Sequence, residues 1–390
     1  MSRIEELIKR YCPDGVCYED LGTVCVFKRG STITKKDTIE GNIPVIAGGQ
    51  QPSYYHNQYN RNGETIAISS SGAYAGFVSY WTIPVFLSDS FSVLPNPNLL
   101  LTKFVYYFLK NIQEEIHSTK KGSGVPHVQG SSISKFPIPL PPLPVQEEIV
   151  RILDKFTELE AELEAELEAR KKQYEYYRNK LLTPVEENGK WMMNGEEVEI
   201  YELNAIAYHP KKRINFKHIN RENYIGVENL LQNKMGKTLS NYTPQSGNFI
   251  EYLTNDILIG NIRPYLKKIW KANITGGTNG DIIVVRIKSE FINRVCPSYL
   301  YYQLSSDLFF NYNMQNAKGA KMPRGDKGAI FKFQIAIPNI AEQERIVSIL
   351  DKFDSLVNDI SIGLPAEIEA RRKQYEYYRG ILLDFKPISN

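Results

Sequence analysis

The residues of this 390-residue chain that could catalyse a reaction or bind a metal are poorly spaced for either task. The five histidines form no HExxH pair, and the four cysteines form no CxxC pair, so no metal site is expected. A GxxxxGK[ST] phosphate loop is missing, and Ser69-Ser70-Ser71-Gly72 lacks the GxSxG frame of a nucleophile elbow. The pattern is typical of a binding protein that holds no cofactor of its own, not of an enzyme.

One short motif has a superficial catalytic likeness. Residues 261–265 (Asn-Ile-Arg-Pro-Tyr) suggest the Asn-Pro-Pro-Tyr motif of adenine methyltransferases. The stretch is one residue too long, carries Arg263 where a proline belongs, and has no glycine-rich cofactor loop upstream. We therefore interpret Arg263 as a contact to a phosphate or a base.

Basic residues gather in polar, glycine-rich stretches, although the net charge is only +3. The helical blocks 146–182 and 343–385 carry −3 and −2, so the rest of the chain carries +8. Two basic loops, 120–124 and 318–325, lie at corresponding positions before these blocks, and a third basic stretch covers 209–237. Lysines and free backbone N–H groups suit a phosphate backbone, although any single loop could be merely solvated. The paired loops favour contact with DNA or RNA.

An internal repeat organises the chain. Residues 146–156 (QEEIVRILDKF) and 343–353 (QERIVSILDKF) share nine of eleven positions. Residues 168–178 (EARKKQYEYYR) and 369–379 (EARRKQYEYYR) share ten of eleven. We call these pairs of blocks the first and the second repeat. Each follows a variable half, which indicates a tandem duplication. Weaker echoes at an offset of 182 match Val16, Leu21 and Val24 with Val198, Leu203 and Ile206.

The repeats have helical periodicity, with apolar residues every three or four positions and charges between them. Flanking prolines predict a helix from about 145 to 182, roughly 57 Å long at ~1.5 Å per residue. Gly363-Leu364-Pro365 predicts that the second helix breaks and restarts there. Neither helix can bury its apolar stripe alone, so we predict that they pair as a coiled-coil spacer, not as a cofactor site. The predicted spacer and partner-binding residues are Ile149, Leu153, Phe156, Leu163, Leu167, Tyr174, Ile346, Leu350, Phe353 and Tyr375.

Each variable half alternates short β-rich runs, such as 64–69 and 281–287, with Gly, Asn, Pro and Ser turns. Each also ends in an aromatic helical stretch, at 103–116 and at 297–310. We therefore predict a mixed α/β fold with two globular domains. The predicted boundaries are an N-terminal helical segment 1–15, domain one 16–144, a central spacer helix 145–182, a linker 183–197, domain two 198–340, a distal spacer helix 341–385 and a tail 386–390.

Two variable domains alternating with QExIVxILDKF…EARxKQYEYYR helices closely resemble the specificity subunit of bacterial type I restriction–modification systems. The resemblance spans essentially the whole chain. It implies that each variable domain is a target recognition domain reading one half of a split, asymmetric site in double-stranded DNA. It also implies that the helices form an antiparallel spacer that docks two methyltransferase subunits, and that motor–nuclease restriction subunits join them. S-adenosylmethionine, ATP and Mg²⁺ would then be bound by those partners.

Direct contacts to DNA are predicted among the basic and aromatic residues of the variable domains. Tyr54 and Tyr55 could stack on a sugar or base, or belong to the core. The candidates are Lys35, Lys36, Tyr54, Tyr55, Lys120 and Lys121 in domain one, and Lys211, Lys212, Arg213, Arg263, Lys267, Lys268, Lys318, Lys321, Arg324 and Lys327 in domain two.

Two local features lead to further expectations. Residues 159–170 read LEAE-LEAE-LEAR, which is either a length-setting repeat of the spacer or simple low-complexity helix. The N-terminal segment with residues 5–10 is expected to pack against the C-terminal helix near 370–385.

Two other functions stay open at this point. One is a DNA-recognition module of another restriction or phage-defence assembly, and the other is a coiled-coil scaffold that does not bind DNA. No apolar run reaches ~18 residues, so we expect no contact with a membrane. No secretory signal is visible, so we expect a cytoplasmic location.

Overall fold

A computed structural model describes residues 2–122, 124–359 and 361–388. By its internal contacts the chain divides into two compact units. The first unit comprises Met1–Glu164 with Ile368–Asn390, and the second comprises Ala165–Glu367. Each unit therefore combines one variable half with parts of both repeats.

The first unit contains nine short strands and five helices that precede the long repeat helix, within its described residues. In chain order they are α1 (Arg3–Tyr11), β1 (Tyr18–Asp20), α2 (Leu21–Val24), β2 (Cys25–Arg29), a 3-10 turn (Lys35–Asp37), β3 (Ile43–Ile46), β4 (Tyr54–His56), β5 (Thr65–Ser69), β6 (Val78–Trp81), β7 (Phe86–Leu87), β8 (Ser90–Pro95), α3 (Thr102–Asn111), α4 (Gln113–Ser118), α5 (Gly130–Ile133) and β9 (Pro137–Pro139). The long helix α6 (Leu143–Leu182) follows.

The remaining elements belong mainly to the second unit. In chain order they are β10 (Val185–Glu187), β11 (Lys190–Met193), β12 (Glu196–Glu197), β13 (Glu199–Glu202), α7 (Leu203–Ile206), β14 (Ala207–Tyr208), β15 (Arg213–Asn215), β16 (Tyr224–Ile225), β17 (Asn248–Tyr252), β18 (Ile257–Gly260), β19 (Ile269–Lys271), β20 (Gly276–Thr278), β21 (Ile282–Ile287), α8 (Pro297–Leu304), α9 (Asp307–Gln315), α10 (Lys327–Ile330), β22 (Gln334–Ile337), α11 (Ile340–Asn358) and α12 (Leu364–Leu383). Four 3-10 turns lie at Phe216–His218, Gln232–Lys234, Pro264–Leu266 and Ser289–Phe291.

The two variable halves share a four-stranded antiparallel sheet, and each adds a second sheet, of three strands in the first unit and four in the second. In the first unit an antiparallel sheet has the order β2-β8-β5-β6, and β3 lies between antiparallel β4 and parallel β7. In the second unit the corresponding orders are β14-β21-β18-β19 and β15-β17-β20-β16, with β16 parallel to β20. Strands β1 and β13 pair with β9 and β22, respectively. The mixed α/β fold with a pseudo-repeated domain is thus confirmed.

The central strands explain the apolar runs of the sequence. All five residues of β5 and all four of β18 are buried, so both strands are covered on their two faces and need no polar alternation. The aromatic stretches 103–116 and 297–310 differ from the prediction, because each forms two short helices instead of one. Ile112, with ψ of 28°, is the C-cap of α3, and Ser305 is the C-cap of α8. The Ser306 hydroxyl then caps the N-terminus of α9.

The segment predicted to be a linker, 183–197, is an ordered three-stranded sheet, β10-β11-β12. Two Asn-Gly turns connect its strands, with positive φ at Asn188, Gly189, Asn194 and Gly195. This is the geometry of the tight hairpin turns that Asn-Gly favours, so the two Asn-Gly pairs in the sequence already indicated these hairpins. Met193 of the sheet is 1% exposed and belongs to the core of the second unit.

The early block of each repeat packs against the late block of the other repeat. In the first unit Phe156 of the first repeat packs on Tyr375 and Tyr378 of the second, with ring centroids 6.4 and 5.6 Å apart. In the second unit Phe353, the counterpart of Phe156, packs on Tyr174 at 6.0 Å and on Tyr177 at 5.8 Å. Each unit therefore pairs the early block of one repeat with the late block of the other, which is the antiparallel arrangement expected. The predicted break is present too, between α11 and α12.

Both repeats also anchor their variable halves in the same way. Within the first unit the Tyr107 hydroxyl of α3 donates to Asp154 at 2.5 Å. Within the second unit the Tyr302 hydroxyl of α8 donates to Asp351 at 2.5 Å. Asp154 and Asp351 are equivalent positions of the QExIVxILDKF block. Each unit therefore has the same contact between its variable half and a repeat.

The N-terminal segment packs against the C-terminal helix in the first unit, as expected. Ile4 of α1 lies in the same core cluster as Leu382 and Leu383 of α12. The Val16 N–H donates to the Lys386 carbonyl at 2.9 Å, and the Ile388 N–H donates to the Val16 carbonyl at 3.1 Å. The N-terminal segment thus closes onto the C-terminal one.

Candidate nucleic-acid interface

A basic loop of the first unit is held by backbone hydrogen bonds that leave its side chains outward. The N–H groups of Lys121 and His127 donate to each other's carbonyls at 2.9 and 2.8 Å, which closes the loop. The loop then lies against the turn after β5, because Gly72 N–H donates to the Pro126 carbonyl and Val128 N–H to the Ser70 carbonyl. The side chains of Lys121 and His127 are exposed.

The second unit builds the same frame from different residues. The N–H groups of Lys318 and Arg324 donate to each other's carbonyls at 2.8 and 2.9 Å. This loop lies against the turn after β18, since Arg263 N–H donates to the Pro323 carbonyl at 2.7 Å and Gly325 N–H to the Asn261 carbonyl at 3.0 Å. The two loops predicted to correspond are therefore equivalent in backbone, and His127 and Arg324 occupy the same place.

An aspartate stands beside each loop, at the start of the strand next to the central one. Asp89 accepts the Ser70 N–H through its carbonyl at 3.0 Å, and Asp281 accepts the Asn261 N–H at 2.9 Å. The carboxylates of these two aspartates contact different groups. The Asp89 carboxylate accepts the Ser71 hydroxyl, whereas Asp281 Oδ1 lies 3.0 Å from Nη1 of Arg324. The Arg324 side chain is 56% exposed, so Asp281 orients a guanidinium that stays accessible to a ligand.

More cations surround the loop of the second unit. Burial and the charges of Lys327 and Arg213 lower the pKa of His209, and burial and the charge of Lys211 lower the pKa of Lys327. Lys211, Arg213 and Lys327 are all exposed. Mutually repelling cations around one loop are typical of a surface that binds a polyanion.

The predicted contacts of the first unit lie on two further segments. Lys35 and Lys36 are exposed on the 3-10 turn Lys35–Asp37, and Tyr55 is 56% exposed. Tyr54 differs from Tyr55, because its half-buried hydroxyl donates to the Ile33 carbonyl at 2.5 Å. Tyr54 therefore positions the loop before the lysines, while Tyr55 is free to pack on a ligand.

Several predicted contacts turn out to point at the protein itself. Lys267 Nζ donates to Asp307 at 2.7 Å, and Lys268 Nζ donates to the Val227 carbonyl at 2.7 Å. Lys212 pairs with Glu251 at 3.0 Å and Lys318 with Asp326 at 2.5 Å, but both keep most of their side-chain surface exposed. Lys120 is half-buried and reaches the Ala73 carbonyl at 3.3 Å. Lys267 and Lys268 therefore direct their ammonium groups at acceptors of the protein, whereas Lys121, Lys321 and Arg263 are exposed.

The residues predicted for the spacer divide by exposure. Ile149, Leu153, Ile346 and Leu350 are 0% exposed and pack inside the cores of their own units, so they stabilise the helices but offer no surface to a partner. Tyr174 is 7% exposed, and the rest are half-buried, namely Phe156, Leu163, Leu167, Phe353 and Tyr375.

Sequence reasoning missed three residues of this surface, His127, Asp89 and Asp281. No local pattern marks them, because each acts through a partner brought near by the sheet, as Asp281 does with Arg324, 43 positions later in the chain. The described residues contain no group of three or more His, Cys, Asp or Glu side chains suited to a metal ion. Among the described helices, none is long and apolar enough to cross a bilayer.

The family model for the type I restriction modification DNA specificity domain matches the chain twice, over residues 13–169 and 194–370. The specificity subunit of the type I restriction enzyme EcoR124I/EcoR124II of Escherichia coli is 36% identical over 74% of this chain and 72% of its own length. The putative specificity subunit S.HindORF215P of Haemophilus influenzae is 32% identical over 89% of each chain.

Two solved structures share the fold. The type I restriction–modification S subunit from M. genitalium superposes with a TM-score of 0.58 at 16% identity, covering 94% of this chain and 96% of its own. A chain from a study of complex assembly and conformational transition of the type I R-M system superposes with a TM-score of 0.60 at 14% identity, covering 95% and 98%.

Proposed function

This chain belongs to the type I restriction–modification DNA specificity family, and from that premise we propose that it reads a split, asymmetric DNA site. Each variable half reads one part of the site, and the repeats set the spacing between the two parts. The chain itself catalyses no step of methylation or cleavage. It acts in the cytoplasm on double-stranded DNA.

The main support for this proposal is that the two basic loops have equivalent backbone hydrogen bonds but different side chains. His127 and Arg324 occupy the same backbone position, and so do Ser71 and Ile262 beside them. One frame filled by different hydrogen-bonding groups supports two different base preferences, since major-groove edges are distinguished by their donors and acceptors. Lysines at both loops supply phosphate contacts that set register without selecting a sequence.

The repeats support the docking of two methyltransferase subunits. Tyr176 is 60% exposed and its counterpart Tyr377 is 64% exposed, although the neighbouring tyrosines Tyr174 and Tyr375 turn into their own units. An exposed aromatic side chain at the same place in each repeat is suited to anchor one copy of the same partner. Restriction subunits then join through the methyltransferases. We assign S-adenosylmethionine, ATP and Mg²⁺ to these partners.

Single-molecule methylome sequencing tests the proposal directly. Host cells that carry the partner methyltransferase are compared with and without this gene. We expect methylated adenines in one two-part motif with a fixed gap, only in cells that express the gene. An identical methylome in both strains would reject the proposal and favour the scaffold function instead.

A further inference from the structure

A polar cavity of about 290 Å³ lies within the second unit and is not explained by DNA reading. Its walls come from the late part of α6, from the loops after β16 and β18, and from α8, α9 and α11. Arg178, Lys234 and Lys267 line it together with Asp307. The cavity therefore joins a repeat residue to three residues of the variable half.

Arg178 is a buried cation that lacks a carboxylate partner. It is 7% exposed, and one terminal nitrogen donates to the carbonyl and to the hydroxyl of Ser305. In the described part of the chain, Nε has no acceptor and no carboxylate forms an ion pair with the guanidinium. A buried charge without a counterion is costly. The equivalent Arg379 of the first unit is instead half-buried and reaches Asn111 Oδ1 at 3.3 Å.

Two lysines add to this positive charge. Lys234 Nζ and Lys267 Nζ lie 3.7 and 2.7 Å from the same atom, Asp307 Oδ1. Burial and the charge of Arg178 lower the pKa of Lys234 to about 8. Glu175 and Asp354 also line the walls, but neither pairs with these cations among the described residues. Among the described lining residues Asp307 is thus the one carboxylate in direct contact with these lysines, and the Arg178 guanidinium has no direct ion pair.

The backbone that presents the lysines is strained. Asn233, Lys234 and Lys267 all adopt left-handed conformations, with φ of 55°, 67° and 50°. Non-glycine residues rarely do so, and such strain tends to collect at ligand sites. The Lys234 N–H donates to the Lys267 carbonyl at 2.9 Å, which couples the two strained loops at the wall of the cavity.

We propose that this cavity is a phosphate-binding site. A phosphate group would accept hydrogen bonds from the free Nε–H of Arg178 and from the ammonium groups of Lys234 and Lys267. The phosphate belongs either to a small free anion or to a DNA backbone, since the donors recognise the oxygens that both share. The site does not depend on which bases the loops read.

Calorimetric titration of the full-length chain with inorganic phosphate, at constant ionic strength set with chloride, tests this site. We expect saturable binding at one site, weakened about tenfold or more in Arg178→Met and in Lys234→Met. Lys352→Met, which removes an exposed lysine of α11, is the matched control and should bind as the wild type does. If Arg178→Met fails to fold, Lys234→Met carries the test, because its side chain lies on a loop.

Two results would overturn the site: no saturable binding of phosphate by the wild-type chain at millimolar concentrations, or equal binding by wild type and Lys234→Met. A parallel titration with a DNA duplex that carries the methylated motif identifies the source of the phosphate. Competition assigns the cavity to a backbone phosphate, and simultaneous binding assigns it to a small anion. Either result keeps the site, and neither depends on methylation activity.

Discussion

Gln146 and Gln343 occupy the same position in the two repeats and make the same three hydrogen bonds, each within its own unit. Gln146 accepts the Leu101 N–H at 2.9 Å and donates to the carbonyls of Leu99 and Pro141, both at 2.7 Å. Gln343 accepts the Cys296 N–H and donates to the carbonyls of Arg294 and Pro338, all at 2.8 Å. Both side chains are 0% exposed. A buried amide thus joins each repeat to the loop before the adjacent domain helix.

Replacing either glutamine by leucine should destabilise its own unit strongly. Three backbone groups lose their partner, one in a buried hydrogen bond and two in half-buried ones. An unsatisfied buried group costs about 1–3 kcal/mol. We expect the free energy of unfolding to fall by roughly 2–4 kcal/mol in Gln146→Leu and in Gln343→Leu. Urea denaturation measures it, with the exposed Gln58→Leu as control. A loss below about 0.5 kcal/mol, the usual size for surface changes, would contradict the bonding described.

Arg324 should determine one base of the second half-site. Its guanidinium is oriented by Asp281 and can pair with guanine O6 and N7, a contact that lysine cannot make in the same two-pronged way. Arg324→Lys should weaken recognition by about 1–3 kcal/mol at one position, so that this base becomes degenerate in the methylome. Asp281→Asn should relax the same position more weakly, because it removes only the orienting charge.

His127→Ala is the matched experiment in the first unit. It should change the first half-site only, since its loop is built from the first unit alone. Variants that altered both half-sites, or a pair of variants that altered neither, would show that these loops do not read bases.

Lys121 should contribute affinity but no sequence preference. A lysine that neutralises one phosphate releases about one counterion. In Lys121→Ala we expect weaker binding to every duplex and a plot of log K against log salt that is shallower by about 1. Fluorescence anisotropy at several salt concentrations measures the slope. If the wild-type chain itself shows hardly any salt dependence, the scaffold function gains support.

The exposed tyrosines of the repeats should each dock one methyltransferase subunit. Loss of a central aromatic anchor typically costs 2 kcal/mol or more, about 30-fold in affinity. We expect Tyr176→Ala and Tyr377→Ala each to reduce the complex from two methyltransferase subunits to one, as counted by native mass spectrometry. Tyr242→Ala, which removes a tyrosine that is 62% exposed in the second variable half, should leave two subunits bound.

The four-residue units of residues 159–170 should set the gap between half-sites. They lie in α6, which is one continuous helix from Leu143 to Leu182. Inserting one Leu-Glu-Ala-Glu unit adds ~6 Å and turns the helix ~40° past a full turn. At ~3.4 Å per base pair the gap should lengthen by up to roughly two base pairs, with both half-sites unchanged. A methylome with the original gap would leave simple low-complexity helix as the explanation.

Much of the architecture could be predicted from the sequence because it depends on local patterns. The repeats, the heptad-like stripes, the break at Gly363 and the apolar runs of β5 and β21 all follow from residue spacing within short windows. The segment 183–197, which was predicted to be a linker, also contains the two Asn-Gly pairs that form its turns. The equivalence of the two basic loops also followed from their position before each repeat.

The site itself depended on tertiary structure. Arg324 and Lys267 are both basic residues near glycines or prolines in the sequence. In the structure Asp281 orients the exposed side chain of Arg324, whereas Asp307 accepts a hydrogen bond from the ammonium group of Lys267. These partners lie 43 and 40 positions away in the chain, and no local periodicity encodes them. The duplicated plan and the helical spacer follow from local residue patterns alone. Only the packing of strands and helices decided which charges are exposed, because a long-range ion pair forms only where the fold brings two side chains together.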